Sequence, residues 1–313
     1  MSESAIDFSH VVKRYGAVEA LRDVSFTVNQ GEMFGLIGPD GAGKTTAIRA
    51  LCGLLHVEGG TIRVLGKDPI KEHRAITGSV GYFSQRFSLY GDLSIDENIA
   101  FFAEIHGVAN YRPLRDRLLE MTQLTRFRGR LADQLSGGMK QKLALACTLV
   151  HEPKVIVLDE PTTGVDPVSR REFWKLLSQF LASGITILMS TPYLDEAERC
   201  SRIALLHEGR VLAVDYPSHL RTTLSGTLLE VLAPNPRATV QRLRDRVGFA
   251  KAQVFGDRLH VWMDNPDHAK AQTDFAAAAR LAGVEPTGVR PIVPSLEDVF
   301  IAKLAATTES PMS

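Results

Sequence analysis

Residues 38–46 read Gly-Pro-Asp-Gly-Ala-Gly-Lys-Thr-Thr. The loop Gly38, Pro39, Asp40, Gly41, Ala42, Gly43, Lys44, Thr45, Thr46 has the make-up of a phosphate cradle. Its glycines let backbone N–H groups approach phosphate oxygens with no Cβ in the way. Lys44 would reach the β- and γ-phosphates, and the Thr45 hydroxyl would face Mg²⁺. Far along the chain, Val155-Ile156-Val157-Leu158 ends in Asp159-Glu160. An acid there can hold the water shell of Mg²⁺, and the next acid can polarise an attacking water. Between these motifs lies Leu135-Ser136-Gly137-Gly138-Met139-Lys140-Gln141. A hydroxyl and two glycine N–H groups at a helix start make a second anion site. Two phosphate-binding surfaces on one chain imply that one of them serves a partner's nucleotide.

These residues need particular elements to position them. Met33–Ile37 reads as a strand and residues 44–55 as a helix, which is the strand–loop–helix context a phosphate loop requires. Val155–Leu158 is apolar throughout, as in a strand buried on both faces. Further strands are predicted at 6–8, 24–28, 61–64, 80–83, 185–189 and 203–206. Helices are predicted at 95–106, 114–123, 137–150, 168–182 and 194–200. Strands alternating with helices predict an α/β domain with a mainly parallel sheet. The strand-rich part before Gly31 predicts an antiparallel subdomain beside it. Near residue 220 the texture changes. Strands at 228–233, 253–255 and 258–263 and helices at 239–247 and 269–281 predict a small α+β domain. The division expected is 1–221, 222–306 and a frayed tail, 307–313.

Lys plus Arg number 36 and Asp plus Glu number 36, so the net charge does not favour a nucleic-acid partner. No apolar run approaches the ~18 residues of a membrane span, and the first residues lack the pattern of a signal peptide. The link to a membrane is therefore expected to run through a partner. Cys52, Cys147 and Cys200 have no metal-type spacing and are expected as reduced thiols. His260 and His268 likewise lack a second ligand at metal spacing. The basic cluster Arg126-Phe127-Arg128-Gly129-Arg130 reads as a solvated face, or a patch facing headgroups or a partner.

The phosphate loop, Gln85, Leu135–Gln141, Val155–Glu160 and Asp166 together resemble the ATPase subunit of an ABC transporter, over residues 5 to about 220. The resemblance implies a P-loop cassette with a RecA-like core, an antiparallel β subdomain and a helical subdomain. It implies ATP with Mg²⁺, and two cassettes facing each other head to tail. Leu135, Ser136, Gly137, Gly138 and Gln141 would then contact ATP held by the partner cassette. Tyr15 would stack on adenine. Gln85 would touch Mg²⁺ and the attacking water, with Thr45 and Asp159 also on the metal and Glu160 as catalytic base. The segment 86–90 would meet a membrane subunit. Asp166 would contact the second cassette and also cap the helix that Pro167 opens.

One position departs from the family pattern. After the strand at 185–189 a Ser-Thr-His is expected, and the chain reads Ser190-Thr191-Pro192. Proline offers no side-chain donor and no backbone N–H. The site is therefore expected to bind ATP well and to hydrolyse it slowly. Pairing with a histidine-bearing second cassette is favoured over a homodimer, in the manner of tandem-cassette exporter ATPases with a degenerate first half. The terminal segment Pro294-Ser295-Leu296-Glu297-Asp298-Val299-Phe300 resembles ATPases of ABC-2-type exporters of drugs, lipids or polysaccharides. It also reads as a terminal helix capped by Ser295. The expected partners are integral membrane permease subunits, at the cytoplasmic face of the plasma membrane, with no nucleic acid. The alternatives are an importer subunit and a soluble ABC ATPase not engaged in transport. Against the latter, Lys44 and Ser136 are only about 90 residues apart, with no coiled coil between them.

Overall fold

The computed structural model describes residues 3–85, 89–247 and 252–309. The chain divides into two compact units, Met1–Pro217 and Ser218–Ser313.

The first unit begins with β1 (Ser4–Tyr15), β2 (Val18–Asn29) and β3 (Met33–Ile37). Then come α1 (Lys44–Leu51), β4 (Gly59–Val64), α2 (His73–Thr77) and β5 (Val80–Phe83). A helical stretch follows, α3 (Ile95–Ile105), α4 (Arg112–Met121) and α5 (Gly137–Leu149). The unit continues through β6 (Val155–Asp159), α6 (Pro167–Ala182), β7 (Thr186–Thr191) and α7 (Leu194–Ala197). It closes with the hairpin β8 (Arg202–His207) and β9 (Arg210–Asp215).

β5-β6-β7-β3-β8-β9 form one sheet, parallel except for β9. Every residue of β3, β6 and β7 is buried, which is why Met33–Ile37, Val155–Leu158 and Ile187–Met189 run apolar without alternation. β2-β1-β4 form the antiparallel sheet. The two sheets share a core. Phe8, Phe26 and Phe34 stack in series, with centroids 4.5 and 5.4 Å apart, and Ala47, Ile48 and Leu51 of α1 join the same cluster.

α1 stops a turn before the residue-55 end predicted from its apolar pattern. Gly53 adopts φ 70°, and a Cβ there would strike the Pro69 carbonyl, so the chain must turn. α7 likewise ends at Ala197, short of the expected end at residue 200. The basic cluster before α5 is partly tied down. Arg128 donates to Asp96 at 2.8 Å and Asp116 at 3.0 Å, while Arg126 and Arg130 flank the Phe127 ring.

α8 (Pro217–Thr222) falls at the division. The second unit contains β10 (Thr227–Leu232), α9 (Pro236–Val247), β11 (Ala252–Phe255) and β12 (Arg258–Met263). α10 (His268–Ala282), β13 (Gly288–Ile292) and α11 (Leu296–Glu309) complete it. Its antiparallel sheet has the order β11-β12-β10-β13. With the connectivity β-α-β-β-α-β, this is a ferredoxin-like unit. Leu229, Val231, Leu259 and Val261 pack on Leu243, Phe275 and Ala279 of the two helices. Glu230 accepts from Arg258 at 2.7 Å and Arg290 at 2.6 Å. Those hydrogen bonds, Arg290's first, hold its carboxyl below the usual range, against burial, which raises it. His260 Nδ1 lies 2.7 Å from Asp298, in the first turn of α11, so this histidine ties the last helix to the sheet. Residues 307–309, expected in a frayed tail, continue α11, and 310–313 lie outside the described residues.

Candidate functional site

Parallel pairing brings four strand ends to one edge of the six-stranded sheet. Ile37 pairs with Thr191, Asp159 with Ser190 and Phe83 with Leu158. The phosphate loop follows β3, Gln85 follows β5, Asp159-Glu160 ends β6 and Pro192 follows β7. In open α/β sheets the carboxyl ends of the strands are where ligands bind.

The loop bends where glycine is needed. Gly43 takes φ 104°, and a Cβ there would press on the Ala20 carbonyl. A Cβ on Gly38 would fall on the Leu206 carbonyl. Gly43 gives α1 no side-chain cap, so the first N–H groups of the helix are left for a ligand. Lys44 is 4 % exposed. Its Nζ donates to Gly38 O at 2.8 Å and Pro39 O at 3.0 Å, and lies 3.1 Å from Glu160 Oε1. Gln85 Nε2 donates to Glu160 Oε2 at 3.0 Å. Tyr15, Glu19, Lys44, Thr45, Gln85 and Glu160 are among the residues lining one recess of about 660 Å³. Tyr15 is exposed at its rim, with Lys13 Nζ 5.3 Å from the ring centre.

Thr45 Oγ1 donates to Asp159 Oδ1 at 3.1 Å. Ser190 Oγ donates to the same oxygen at 2.7 Å and accepts the Glu160 N–H at 3.0 Å. Asp159 Oδ2 is buried with no hydrogen-bond partner among the described residues. Burial pushes the Asp159 carboxyl up, the bonds from Ser190 and Thr45 oppose this, and the neighbouring Glu160 adds to the rise. A buried carboxylate with an idle oxygen beside a threonine hydroxyl fits a divalent cation. The described residues contain no cluster of three or more His, Cys, Asp or Glu side chains that could hold a metal alone. Mg²⁺ does not require one, because it keeps waters and takes phosphate oxygens as ligands.

The Ser190-Thr191-Pro192 triplet gives Ser190 no role of its own at the site. It is a serine at a strand end, and only the pairing of β6 with β7 sets it against Asp159. Pro192 follows β7 beside the phosphate loop, where the Gly38 N–H reaches Thr191 O at 3.4 Å. Of the segment 86–90, residues 86–88 lie outside the described residues.

The Ser-Gly-Gly turn is not part of this recess. Ser136 caps α5 by accepting the Met139 N–H at 3.3 Å, and it is exposed together with Gly137. Leu135 is buried and Gln141 half-buried, while a Cβ on Gly138 would fall on the Ser169 side chain of α6. Asp166 caps α6, accepting the Val168 and Ser169 N–H groups at 3.0 Å each. The Ser169 hydrogen bonds, chiefly, hold its carboxyl below the usual range.

The family profile described as ABC transporter matches residues 21–163. The Nod factor export ATP-binding protein I of Burkholderia pseudomallei (strain 1710b) is 38% identical over 307 residues, covering 96% of this chain and 97% of that protein. This chain belongs to the ABC transporter family. The probable multidrug ABC transporter ATP-binding protein YbhF of Escherichia coli (strain K12) is 39% identical over 320 residues. That match takes in 100% of this chain and 54% of YbhF, so the cassette chain spans about half the length of that relative. A solved ATP-binding subunit of an ABC transporter superposes with a TM-score of 0.64 at 31% identity, over 70% of this chain and 92% of that one.

Proposed function

We propose that this chain binds and hydrolyses ATP to energise a membrane exporter of the drug, lipid or polysaccharide class. The observation that carries the reading is the convergence of Lys44, Thr45, Gln85, Asp159 and Glu160 at one sheet edge. The names of its relatives, multidrug transporter and Nod factor export protein, support export. Lys44 would leave Glu160 for the β- and γ-phosphates, freeing the Glu160 carboxylate to polarise water, with Gln85 orienting it. Thr45 and Asp159 would hold Mg²⁺, which neutralises phosphate charge. Tyr15 would stack on the base. Among the described residues no helix is long and apolar enough to cross a membrane, so permease subunits would carry the link to the cytoplasmic face.

The exposed Ser136-Gly137 turn, outside the chain's own recess, supports its use on a second cassette, with Asp166 at that contact. Pro192 would leave the chain's own site without the histidine donor to the γ-phosphate that the family pattern places there. Losing one such donor slows transfer by about 10²–10³. A partner cassette bearing a histidine would therefore own the faster site, which favours a heterodimer. Purified chain should bind Mg-ATP and turn it over slowly. Glu160→Gln should abolish that turnover, and Pro192→His should raise it at least about tenfold. Fast wild-type turnover lost in Glu160→Gln would overturn the slow-site reading. Absence of ATP binding would overturn the whole.

A further inference from the structure

We propose that Glu196 is a positioning residue that ties the segment after Glu160 to the turn at Pro192. The proposal rests on the ATPase reading above. Glu196 is 1 % exposed, and a carboxylate is kept so deep only where donors meet both its oxygens. Thr162 Oγ1 donates to Oε1 at 2.6 Å, and Thr191 Oγ1 donates to Oε2 at 2.7 Å. The two threonines are themselves buried. They belong to different segments, Thr162 to the loop between β6 and α6 and Thr191 to the end of β7.

Each arm leads to the candidate site. Thr163, next to Thr162, directs its hydroxyl at Glu160 Oε2 from 3.4 Å. On the other side, the Tyr193 N–H donates to Thr191 Oγ1 at 3.1 Å. Thr191 and Tyr193 bracket Pro192, which has no N–H of its own to pin the turn. Arg170 of α6 adds an ion pair without a hydrogen bond. Its Nε lies 3.7 Å from Glu196 Oε1, and its guanidinium stands 5.0 Å from the Tyr193 ring centre. One carboxylate thus joins the loop after Glu160, the Pro192 turn and the helix that Asp166 caps. A displacement of about 1 Å at a reacting group can slow a reaction ~10²-fold.

The test uses the full chain, with Glu196→Gln, Thr162→Val and the double variant. Glutamine keeps the shape but loses the charge and turns one acceptor into a donor, so one threonine hydroxyl loses its acceptor and must turn to accept instead, which weakens that arm. Glu196→Gln should lower kcat about 10- to 100-fold with KM within about twofold. Amide exchange should quicken in residues 162–166 and at Thr191 and Tyr193 together and stay unchanged elsewhere. Thr162→Val should act likewise, and the double variant should be little worse than either single one. Unchanged kcat and unchanged exchange in both segments would overturn the proposal, as would effects that simply multiply. If Glu196→Gln fails to fold, Thr162→Val and Thr191→Val carry the same readings. If the wild type does not bind ATP, the ATPase reading fails. Exchange in the two segments then still decides whether Glu196 holds them.

Discussion

Asp159 is 1 % exposed, and one of its oxygens has no partner among the described residues. Burial, helped by Glu160, raises its carboxyl above the ordinary 3.8. The folded chain therefore holds this proton more tightly than the unfolded chain. Its contribution to stability is complete below 3.8 and is lost as pH rises through the raised value. Above that raised value the ionised group destabilises the nucleotide-free fold. Asp159→Asn should raise the Tm of nucleotide-free protein. The further rise given by Mg-ATP should shrink. Melts with and without Mg-ATP check both, and a lower Tm in the nucleotide-free variant would count against this account. Glu160 sits at φ 48°, a left-handed backbone position that costs about 1–3 kcal/mol in a non-glycine residue. Its N–H is held by both Ser190 O and Ser190 Oγ. The strain lies at the carboxylate proposed to face the water.

Between α3 and α5 the sensitive contact is a pair of histidines. His106 follows α3, His151 follows α5, and their rings stack with centroids 3.8 Å apart. Burial pushes His151 down from 6.5 to about 4, and His106 beside it adds to the fall, against a bond to Val80 O. Burial alone lowers His106. The folded chain therefore resists a proton that the unfolded chain accepts. This contribution is complete above pH 6.5 and is lost as pH falls toward about 4. His151→Gln should flatten the loss of Tm between those pH values, as thermal melts across the range would show. An unchanged slope would place the acid sensitivity elsewhere. The packing of α5 on α6 is stricter. Gly138 meets Ser169 with no room for a Cβ, so the glycine serves helix packing as well as the proposed anion site.

Each of the two units carries a core of its own. Phe275 is fully buried in the second one. Phe275→Ala should cost that unit about 3–5 kcal/mol. ATP affinity should be unchanged, because none of the described residues lining the recess belongs to the second unit. Denaturation followed by calorimetry, with ATP titration in parallel, tests this. A loss of ATP affinity would show that the units depend on each other.

Local chemistry made much of the candidate site readable from the residues in order. The phosphate loop, the apolar strand ending in Asp159-Glu160 and the capped turn at Ser136 are short motifs whose spacing carries their meaning. Long buried strands and capped helices were readable for the same reason, since period and cap are local. Short or irregular elements were not. α2 and α8 are too brief to show a period. β13 contains Pro291, which a strand tolerates only at a sheet edge, and its edge place is a matter of topology. α1 ends at a glycine whose need is steric. Tertiary structure alone decided that β6 lies beside β7, and so that Ser190 steadies Asp159 and Glu160. It also decided that Thr162, Thr191 and Glu196 meet, although they come from a loop, a strand end and a helix. Parallel neighbours are joined through crossovers, so their pairing is set by packing of the whole sheet and leaves no mark in the local sequence.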